Sequence, residues 1–373
     1  MKSAIIDQSQ EFKVFDWLKF PLSVLVVLVH SHITGTSIRG ETFLYEYDSY
    51  PVFNNISFLV SEIVAALAVP SFFVISGYLF FRGLEQKNGR FDVLSFAKKL
   101  QRRSRTLLLP YILWNAIYLL IFIVGQNILP SLLSSNHMLI KDYHFLDFLN
   151  AFWAGFDGYP ICPPLWFIRD LMVMIILSPI IYYLFRYTKV FPIILFLILW
   201  LLGMSIPFEA WNFKSAFFFY GGGYFAYRNQ SVLTGAIRWK RWFFILYLLA
   251  VVVAVVCYNL GSVSYMVKPC IKVSLVFGVL AFLALGYYMM QYKQKDNNGL
   301  MKGSDFFIFG FHVLPLSFII KILLKLLTPQ SEIAVLFVYL VSPTITIIMG
   351  LTIFACLKRL FPGFASLLTG GRL

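Results

Sequence analysis

The chain has 373 residues, of which 60% are hydrophobic and only 13% are charged, and its formal net charge is +14. A soluble globular domain carries about a quarter charged residues, so this composition excludes a soluble domain and indicates a chain surrounded largely by lipid. Four scattered cysteines and the lack of any Cys/His cluster argue against a disulfide framework and against a metal site.

Apolar runs of spanning length, bounded by charged residues, proline or glycine, follow one another along the chain. They predict an all-α fold, a polytopic transmembrane helical bundle of about ten spans. The predicted spans are residues 16–36, 56–81, 106–126, 165–186, 190–207, 213–228, 241–260, 268–291, 305–327 and 332–357. The first is too long for a cleaved signal peptide, so we expect it to be retained. The sixth is short and rich in glycine, and without it the end of the chain would change sides.

Lysine and arginine are concentrated in alternate loops. The rich segments are 82–105, 228–241, 293–302 and the tail after 357, whereas 37–55 and 127–164 contain one basic residue each. With ten spans, this pattern places the N- and C-termini in the cytoplasm, and it explains the positive charge without nucleic acid. The chain reads as a single domain, 1–373. Its longest outer loop, 127–164, either covers an outward-facing cavity or simply connects two spans.

Two ionisable residues lie in the first predicted span. Lys19 and His30 are eleven residues apart, which places them on one helix face and about 16 Å apart along the axis. Ionisable side chains at membrane depth usually face a functional pathway, and histidine exchanges a proton near neutral pH. His30 is therefore a candidate catalytic residue. The alternative is an interfacial histidine, with Lys19 extending to the membrane surface.

The next two predicted spans add further candidates. Glu62 falls in the same outer half of the membrane as His30, because the first two spans run antiparallel; it either orients His30 or points to water. Arg102 and Arg105, one turn apart before the third span, form a basic patch that suits a phosphate group. Anchoring at the cytoplasmic face explains the same arginine pair without a ligand.

Later spans contain polar residues near both membrane faces. Trp166, Arg169 and Asp170, at the outer end of the fourth span, are candidate substrate-binding residues, and Arg169 and Asp170 either pair or reach into a cavity. His312, in the ninth predicted span, is expected about a third of the way out from the cytoplasm. It either contacts a cofactor or hydrogen-bonds to a neighbouring helix. We assign no role to His32.

Taken together, these segments resemble the acyltransferase family 3 of integral membrane proteins, over nearly the whole chain. The matching motifs are Asp16 with Lys19 and His30, PSFFVISGYLF at residues 70–80, the R-x-x-R of Arg102 and Arg105 followed by LLLPYILW, PLWFIRDL, and FFIFGFH. The sequence departs from the family pattern twice. Lys19 replaces the usual arginine, and Asp305, Phe306 and Phe309 occupy a stretch that is often rich in tyrosine.

The resemblance implies transfer of an acyl group, usually acetyl from acetyl-CoA, to a hydroxyl of a cell-surface polysaccharide or lipid-linked sugar in the bacterial inner membrane. It also implies that His30 is the catalytic residue, as base or acyl carrier, and that Lys19, Arg102 and Arg105 contact acetyl-CoA. From the residues themselves, Glu62 is a candidate catalytic partner of His30, His312 is a candidate contact of acetyl-CoA, and Trp166, Arg169 and Asp170 are candidate contacts of the saccharide. No metal is expected.

Two other functions fit the same residues. A transporter or flippase for a lipid-linked saccharide would also place ionisable residues in its spans, but it would move substrate without CoA. The lack of a convincing internal repeat argues against it, as does the basic pair beside a span. A membrane scaffold without turnover predicts that Lys19 and His30 tolerate substitution.

Overall fold

Helices joined by short connections make up most of the fold. The computed structural model describes residues 6–33, 36–38, 41–43, 50–84, 86–87, 90–128, 139–155, 158–261, 264–293 and 302–373. Parts of the predicted segments lie outside the described residues, namely 34–35 of the first span, 85 and 88–89 of the basic loop, 129–138 and 156–157 of the outer loop, and 294–301.

The all-α class is confirmed, with two small hairpins added. Helices α1 to α17 are Gln8–Val29, Pro51–Ser57, Ala68–Arg82, Val93–Arg103, Leu109–Ile128, Phe145–Trp153, Trp166–Ile176, Ser178–Tyr187, Phe191–Leu201, Phe213–Tyr227, Val232–Arg238, Lys240–Leu260, Val267–Lys293, Ser304–Phe311, Val313–Leu327, Glu332–Leu360 and Pro362–Leu368. Two π-helical segments, Phe58–Val64 and Ser104–Leu108, lie between neighbouring helices. The antiparallel hairpins pair Thr36–Ile38 with Glu41–Phe43 and Gln86–Lys87 with Arg90–Phe91.

Five helical segments of the described chain are long and apolar enough to cross a membrane, or up to seven if each of two bent pairs is one span. The five are Pro51–Arg82, Val93–Ile128, Lys240–Leu260, Val267–Tyr292 and Glu332–Leu360. Every predicted span contains a helix, but α1 carries several charges and α9 and α10 are short. Ten spans with both ends in the cytoplasm stay a prediction.

Several helix boundaries differ from those predicted. The third span, expected to begin at 106, is preceded by α4 without interruption, because the basic residues before it form an exposed extension of the same helix. The first begins at Gln8 rather than at 16 for a similar reason, since charged residues occupy its first turns. The helix of the fifth span ends at Leu201 rather than at 207. Two residues later, Gly203 adopts a positive φ of 75°, which is not a helical conformation.

Two predicted spans are bent instead of straight. The axes of α7 and α8 differ by 59°, and those of α14 and α15 differ by 58°. Pro179 and Pro315 follow the two breaks closely. A proline lacks the N–H that would bond to the carbonyl four residues earlier, so a helix commonly bends there. The second break falls at His312 and places this side chain at a bend.

The beginning of α1 is held inside the bundle by a buried carboxylate. Glu11 is 1% exposed, and it accepts hydrogen bonds from the Tyr78 hydroxyl at 2.6 Å, the Ser231 hydroxyl at 2.8 Å and the Leu233 backbone N–H at 3.0 Å. A buried carboxylate is tolerated only when its oxygens are satisfied in this way. The contacts tie α1, which carries Lys19 and leads to His30, to α3 and α11.

Glycines let α3 and α10 cross at close range. A Cβ on Gly222 would lie 2.1 Å from the carbonyl oxygen of Val74, and one on Gly77 would lie 2.1 Å from that of Phe219. Small residues at such a crossing allow two backbones to touch. The glycine-rich sixth segment is therefore confirmed as a helix, and its composition has a packing cause.

We expect Gly222→Ala to lower the free energy of unfolding by about 1–3 kcal/mol, because the added methyl group forces the two backbones apart. Gly221→Ala is the matched control, since no atom lies within 4 Å of a Cβ there. The control should be neutral or stabilise the helix by up to about 1 kcal/mol. Thermal unfolding in detergent compares the two, and equal melting temperatures would contradict the close crossing.

Candidate active site

His30 directly follows the last residue of α1. Its backbone N–H donates to the Val27 carbonyl at 3.1 Å, and the residue is exposed although Val27 and Ser31 beside it are buried. The hydroxyls of Ser31 and Ser61 both donate to the carbonyl oxygen of Leu28, at 2.8 and 2.7 Å. These bonds join the end of α1 to the neighbouring π-helical segment. They hold the backbone next to His30 in place, while the imidazole of His30 remains accessible.

A second histidine contacts His30. The ring centroids of His30 and His312 are 5.2 Å apart and their planes are inclined by 45°. The sequence had placed His312 nearer the cytoplasm than His30, but the contact puts the two at one depth. The bend between α14 and α15 accounts for this difference, because a bent pair does not rise evenly through the bundle.

Hydrogen bonds fix the orientation of the His312 ring. Its Nδ1 lies 3.1 Å from the carbonyl oxygen of Ile308 and 3.0 Å from that of Phe309. Both partners only accept, so Nδ1 carries the proton and Nε2 of the neutral ring is an acceptor. Nε2 is buried and has no hydrogen-bond partner among the described residues. The predicted hydrogen bond to a neighbouring helix is thus replaced by bonds to carbonyls of α14.

Glu62 contacts His32 rather than His30. The Oε1 atom of Glu62 is 2.9 Å from Nε2 of His32, and both side chains are partly exposed. No hydrogen bond joins Glu62 to His30 in the described part of the chain, so the orienting role predicted for Glu62 has no direct contact behind it. The π-helical segment carries Glu62, and such segments often occur at functional sites. For His32, the only signal in the sequence is its position two residues after His30.

A second group of charged residues surrounds the middle of α1, about three turns before His30. Lys19 shares one uninterrupted helix with the residue before His30, as predicted, and its ammonium bonds to the Asp16 carboxylate at 2.6 Å. The Asp305 carboxylate interacts electrostatically with the positive charges of Arg372 and Lys19. The Arg372 guanidinium lies 4.4 Å from the centre of the Phe306 ring. Burial lowers the pKa of Arg372 and the Asp305 carboxylate opposes that shift.

The predicted arginine pair is exposed near the same group of charged residues. Arg102 lies in the last turn of α4 and Arg105 lies in the π-helical segment that follows. Arg103, between them, is half-buried and repelled by the charge of Arg372. Gly370 fixes the tail nearby, since a Cβ there would lie 2.4 Å from the Thr106 carbonyl oxygen. In the sequence, the only signal for Arg103 and Arg372 is their place in two basic segments, 82–105 and the tail after 357.

Arg169 and Asp170 form a buried pair. Arg169 is 1% exposed and Asp170 is 0% exposed, and Nε lies 3.1 Å from the carboxylate. The guanidinium also donates to the carbonyl oxygens of Trp153, Ala154 and Glu209. Charge pairing, one of the two predicted alternatives, is therefore confirmed.

Because both side chains are enclosed, they offer no surface to a saccharide. Their contacts join α7 to the end of α6 and to the segment before α10, which is a structural role. Trp166 is only partly buried, and the Lys214 ammonium lies 5.5 Å from its ring centre. A substrate contact of Trp166 stays a prediction. Within the described ranges, no three His, Cys, Asp or Glu side chains are grouped to hold a metal ion.

A cavity of about 690 Å³ lies beside the 140–163 segment, and we call it the loop cavity. Its wall combines residues from 118–126 of α5, from 140–151 and from 158–163, with Val313 and Leu314 at the start of α15. The described parts of this loop thus line a cavity. That the cavity faces outward stays a prediction. Val313 directly follows His312, so the loop cavity lies next to the helix break that carries this histidine.

Comparison with known proteins identifies the family. The acyltransferase-3 family model, described as an acyltransferase domain, matches residues 12–356. The chain belongs to this family. The matched segment contains both histidines of the contacting pair and the arginine pair, and it ends before Arg372.

A relative supports the same assignment. The succinoglycan biosynthesis protein ExoH of Rhizobium meliloti (strain 1021) is 24% identical over 336 residues, which covers 87% of this chain and 84% of the relative. No solved structure matches the chain significantly. Family membership and the long apolar helices together make this acyltransferase a multi-pass membrane protein.

Proposed function

We propose that the protein transfers an acetyl group from acetyl-CoA to a hydroxyl of a cell-surface polysaccharide or of its lipid-linked precursor. The observation that carries this proposal is the contact between His30 and His312, because it gives a member of an acyltransferase family an accessible imidazole with a second imidazole beside it. The similarity to a succinoglycan biosynthesis protein favours a polysaccharide acceptor. We infer that the protein lies in the bacterial inner membrane.

The donor is proposed to bind from the basic, cytoplasmic end of the bundle. Arg102 and Arg105 are exposed and therefore available to the phosphate groups of CoA. We propose that Lys19 contacts the same molecule at a point nearer to His30. Lys19 is about 16 Å from His30 along the helix, a distance that suits the extended arm of CoA. The predicted topology, with both ends in the cytoplasm, gives this end access to acetyl-CoA.

The proposed chemistry is acid–base catalysis by His30. The imidazole takes the proton of the acceptor hydroxyl, the oxygen attacks the thioester carbonyl carbon, and the carbon–sulfur bond breaks. The proton then passes from His30 to the CoA sulfur, so the ring returns to its neutral form. A second route has His30 carry the acyl group before the hydroxyl receives it. Both routes need the same accessible ring.

His312 is proposed to assist without contacting the donor. Its Nε2 is an acceptor that faces a buried environment, and rings with centroids 5.2 Å apart can bring one nitrogen of each within hydrogen-bond distance. An N–H of His30 donated to this atom would orient the imidazole and stabilise its charged form. This is the part that a carboxylate plays in a serine-histidine-aspartate triad.

Inside-out membrane vesicles containing the protein test the proposed function. We expect label from radioactive acetyl-CoA, supplied at the cytoplasmic face, to appear in polysaccharide or lipid-linked saccharide, and vesicles without the protein to show none. A transporter instead predicts that saccharide crosses the membrane with no dependence on acetyl-CoA. That second result, with no label in any product, would overturn the acyltransferase proposal.

A further inference from the structure

The loop cavity has the size and shape of a ligand site that the proposed donor does not use. Its volume of about 690 Å³ falls within the range of about 300–1,000 Å³ that is common for small-molecule sites. The second half of α5 lines the cavity, whereas Arg102 and Arg105, which are proposed to bind CoA, precede the first residue of that helix. We propose that the loop cavity binds an uncharged sugar unit of the acceptor, an inference that rests on the proposed function.

The wall of the cavity has the chemistry that a sugar ring requires. The wall contains tyrosine rings, each with a flat apolar face and a polar edge, beside two amides and a carboxylate. The tyrosines are Tyr118, Tyr143 and Tyr159, the amides are Gln126 and Asn150, and the carboxylate is Asp147. A pyranose presents apolar C–H faces and a rim of hydroxyls. Tyrosine rings pack against the faces, while amides and carboxylates bond to the hydroxyls.

Polar atoms of the wall are held in place and still have capacity for a ligand. The Gln126 side-chain oxygen accepts from the Ile140 N–H at 2.9 Å, which leaves its amide donors free of any other described bond. One carboxylate oxygen of Asp147 accepts from the His144 N–H at 2.8 Å. The other oxygen remains as an acceptor, with no described partner. Fixed groups of this kind lose little freedom when a ligand binds.

Tyr118 is the deepest of these groups. It is 2% exposed, and its hydroxyl has no hydrogen bond of good geometry among the described residues. The Cys162 thiol and the Leu314 backbone lie close to it without completing one. A buried hydroxyl without a partner costs free energy, and a hydroxyl of a bound sugar would supply the missing bond.

The charge of the wall selects against an anionic unit. Asp147 is the single carboxylate among the described residues of the wall, and none of these residues is a lysine or an arginine. Burial and the Asp147 carboxylate raise the pKa of Tyr143, so this hydroxyl stays a neutral donor. A phosphate or uronate would meet a negative charge and no positive one, which disfavours it relative to a neutral sugar.

Helix α6 separates the cavity from an apolar outer surface. Asp147 and Asn150 face the cavity, whereas Phe145, Leu146 and Leu149 on the other side are 75%, 73% and 51% exposed. A short helix with one polar and one exposed apolar face fits the interface between lipid and water. The cavity therefore opens where a glycan attached to the membrane is within reach.

Matched substitutions test this assignment. We expect Tyr118→Phe combined with Asn150→Ala to lower acetyl transfer to the polysaccharide at least about tenfold, since two hydrogen bonds to the acceptor are lost. Binding of acetyl-CoA to the purified protein should stay within twofold of the unaltered value. The control variant combines Tyr183→Phe with Asn127→Ala and so removes one tyrosine hydroxyl and one amide at positions outside the cavity. It should change neither acetyl transfer nor the binding of acetyl-CoA.

The results separate the inference from the proposed function. If the unaltered protein neither binds acetyl-CoA nor transfers its acetyl group, the proposed function fails. If the unaltered protein does both and the cavity variant transfers normally, the cavity assignment fails. Equal loss of acetyl-CoA binding and transfer in the cavity variant would also overturn it, because the cavity would then serve the donor or the fold.

The charge of the acceptor unit has its own test. Asp147→Lys gives the cavity a positive charge, and for an uncharged sugar we expect transfer to fall at least about tenfold because an acceptor of sugar hydroxyls is lost. Increased transfer would show that the acceptor is anionic and would overturn that part of the inference. Thermal unfolding of the variant in detergent verifies that it is folded.

Discussion

His30→Ala is expected to reduce acetyl transfer by about 10²–10⁴-fold, the usual contribution of a positioned acid–base group, or more if the histidine carries the acyl group. Folding should be little affected, because the side chain is exposed and the end of α1 is held by the Ser31 and Ser61 hydroxyls. The measurement is the rate of label transfer from radioactive acetyl-CoA, at equal amounts of folded protein.

His32→Ala is the matched control for that experiment. It removes a histidine two residues away whose ring is paired with Glu62 at a partly exposed position. Exposed ion pairs contribute about 0–1 kcal/mol to stability, so the protein should fold, and we expect transfer within about threefold of normal. If His32→Ala abolished transfer while His30→Ala retained it, the assignment of the catalytic histidine would be wrong.

The helices were predictable because local signals specify them. Apolar runs marked the positions of the spans, and the first of them correctly predicted one helix that contains Lys19 and ends at the residue before His30. The bends at Leu177 and His312 were not predicted, because an average of hydropathy over a window does not respond to a single proline. Pro179 and Pro315 were the overlooked signals at these breaks.

The contacts that assemble the site were beyond local patterns. His312 lies almost three hundred residues after His30 in the sequence, and only the packing of α14 against α1 brings them together. The same applies to Arg103 with Arg372. Periodicity reports which face of a helix is apolar, but it does not report which helix that face meets. The loop cavity depends on the same long-range packing.

Burial favours one of the two arrangements predicted for Arg169 and Asp170, in which their side chains pair. A tryptophan, an arginine and an aspartate at the outer end of a span are as suitable for binding a sugar as for joining loops. The structure encloses Arg169 and Asp170 at 1% and 0% exposure and directs the guanidinium to three backbone carbonyls. A substitution of Arg169 should therefore change stability before it changes acceptor binding.

We expect Arg169→Ala to destabilise the protein by about 3–5 kcal/mol, because the buried Asp170 carboxylate loses its charge partner and keeps only the hydrogen bond from the Asn212 amide. Several carbonyl oxygens lose their donor as well, so folded protein should be scarce after extraction from the membrane. Arg241→Ala, at an exposed position of α12, is the control and should melt normally. The measurement is the melting temperature in detergent together with the yield of monodisperse protein.

Arg169→Met combined with Asp170→Leu distinguishes a missing partner from a missing binding group. Apolar residues that replace both members of a buried ion pair are often tolerated, so this variant should be more stable than Arg169→Ala. Recovery is expected to be partial, because the carbonyls of Trp153 and Glu209 still lack a donor. If Arg169→Ala melted normally and raised only the acceptor concentration needed for half-maximal transfer, the guanidinium would be a saccharide ligand after all.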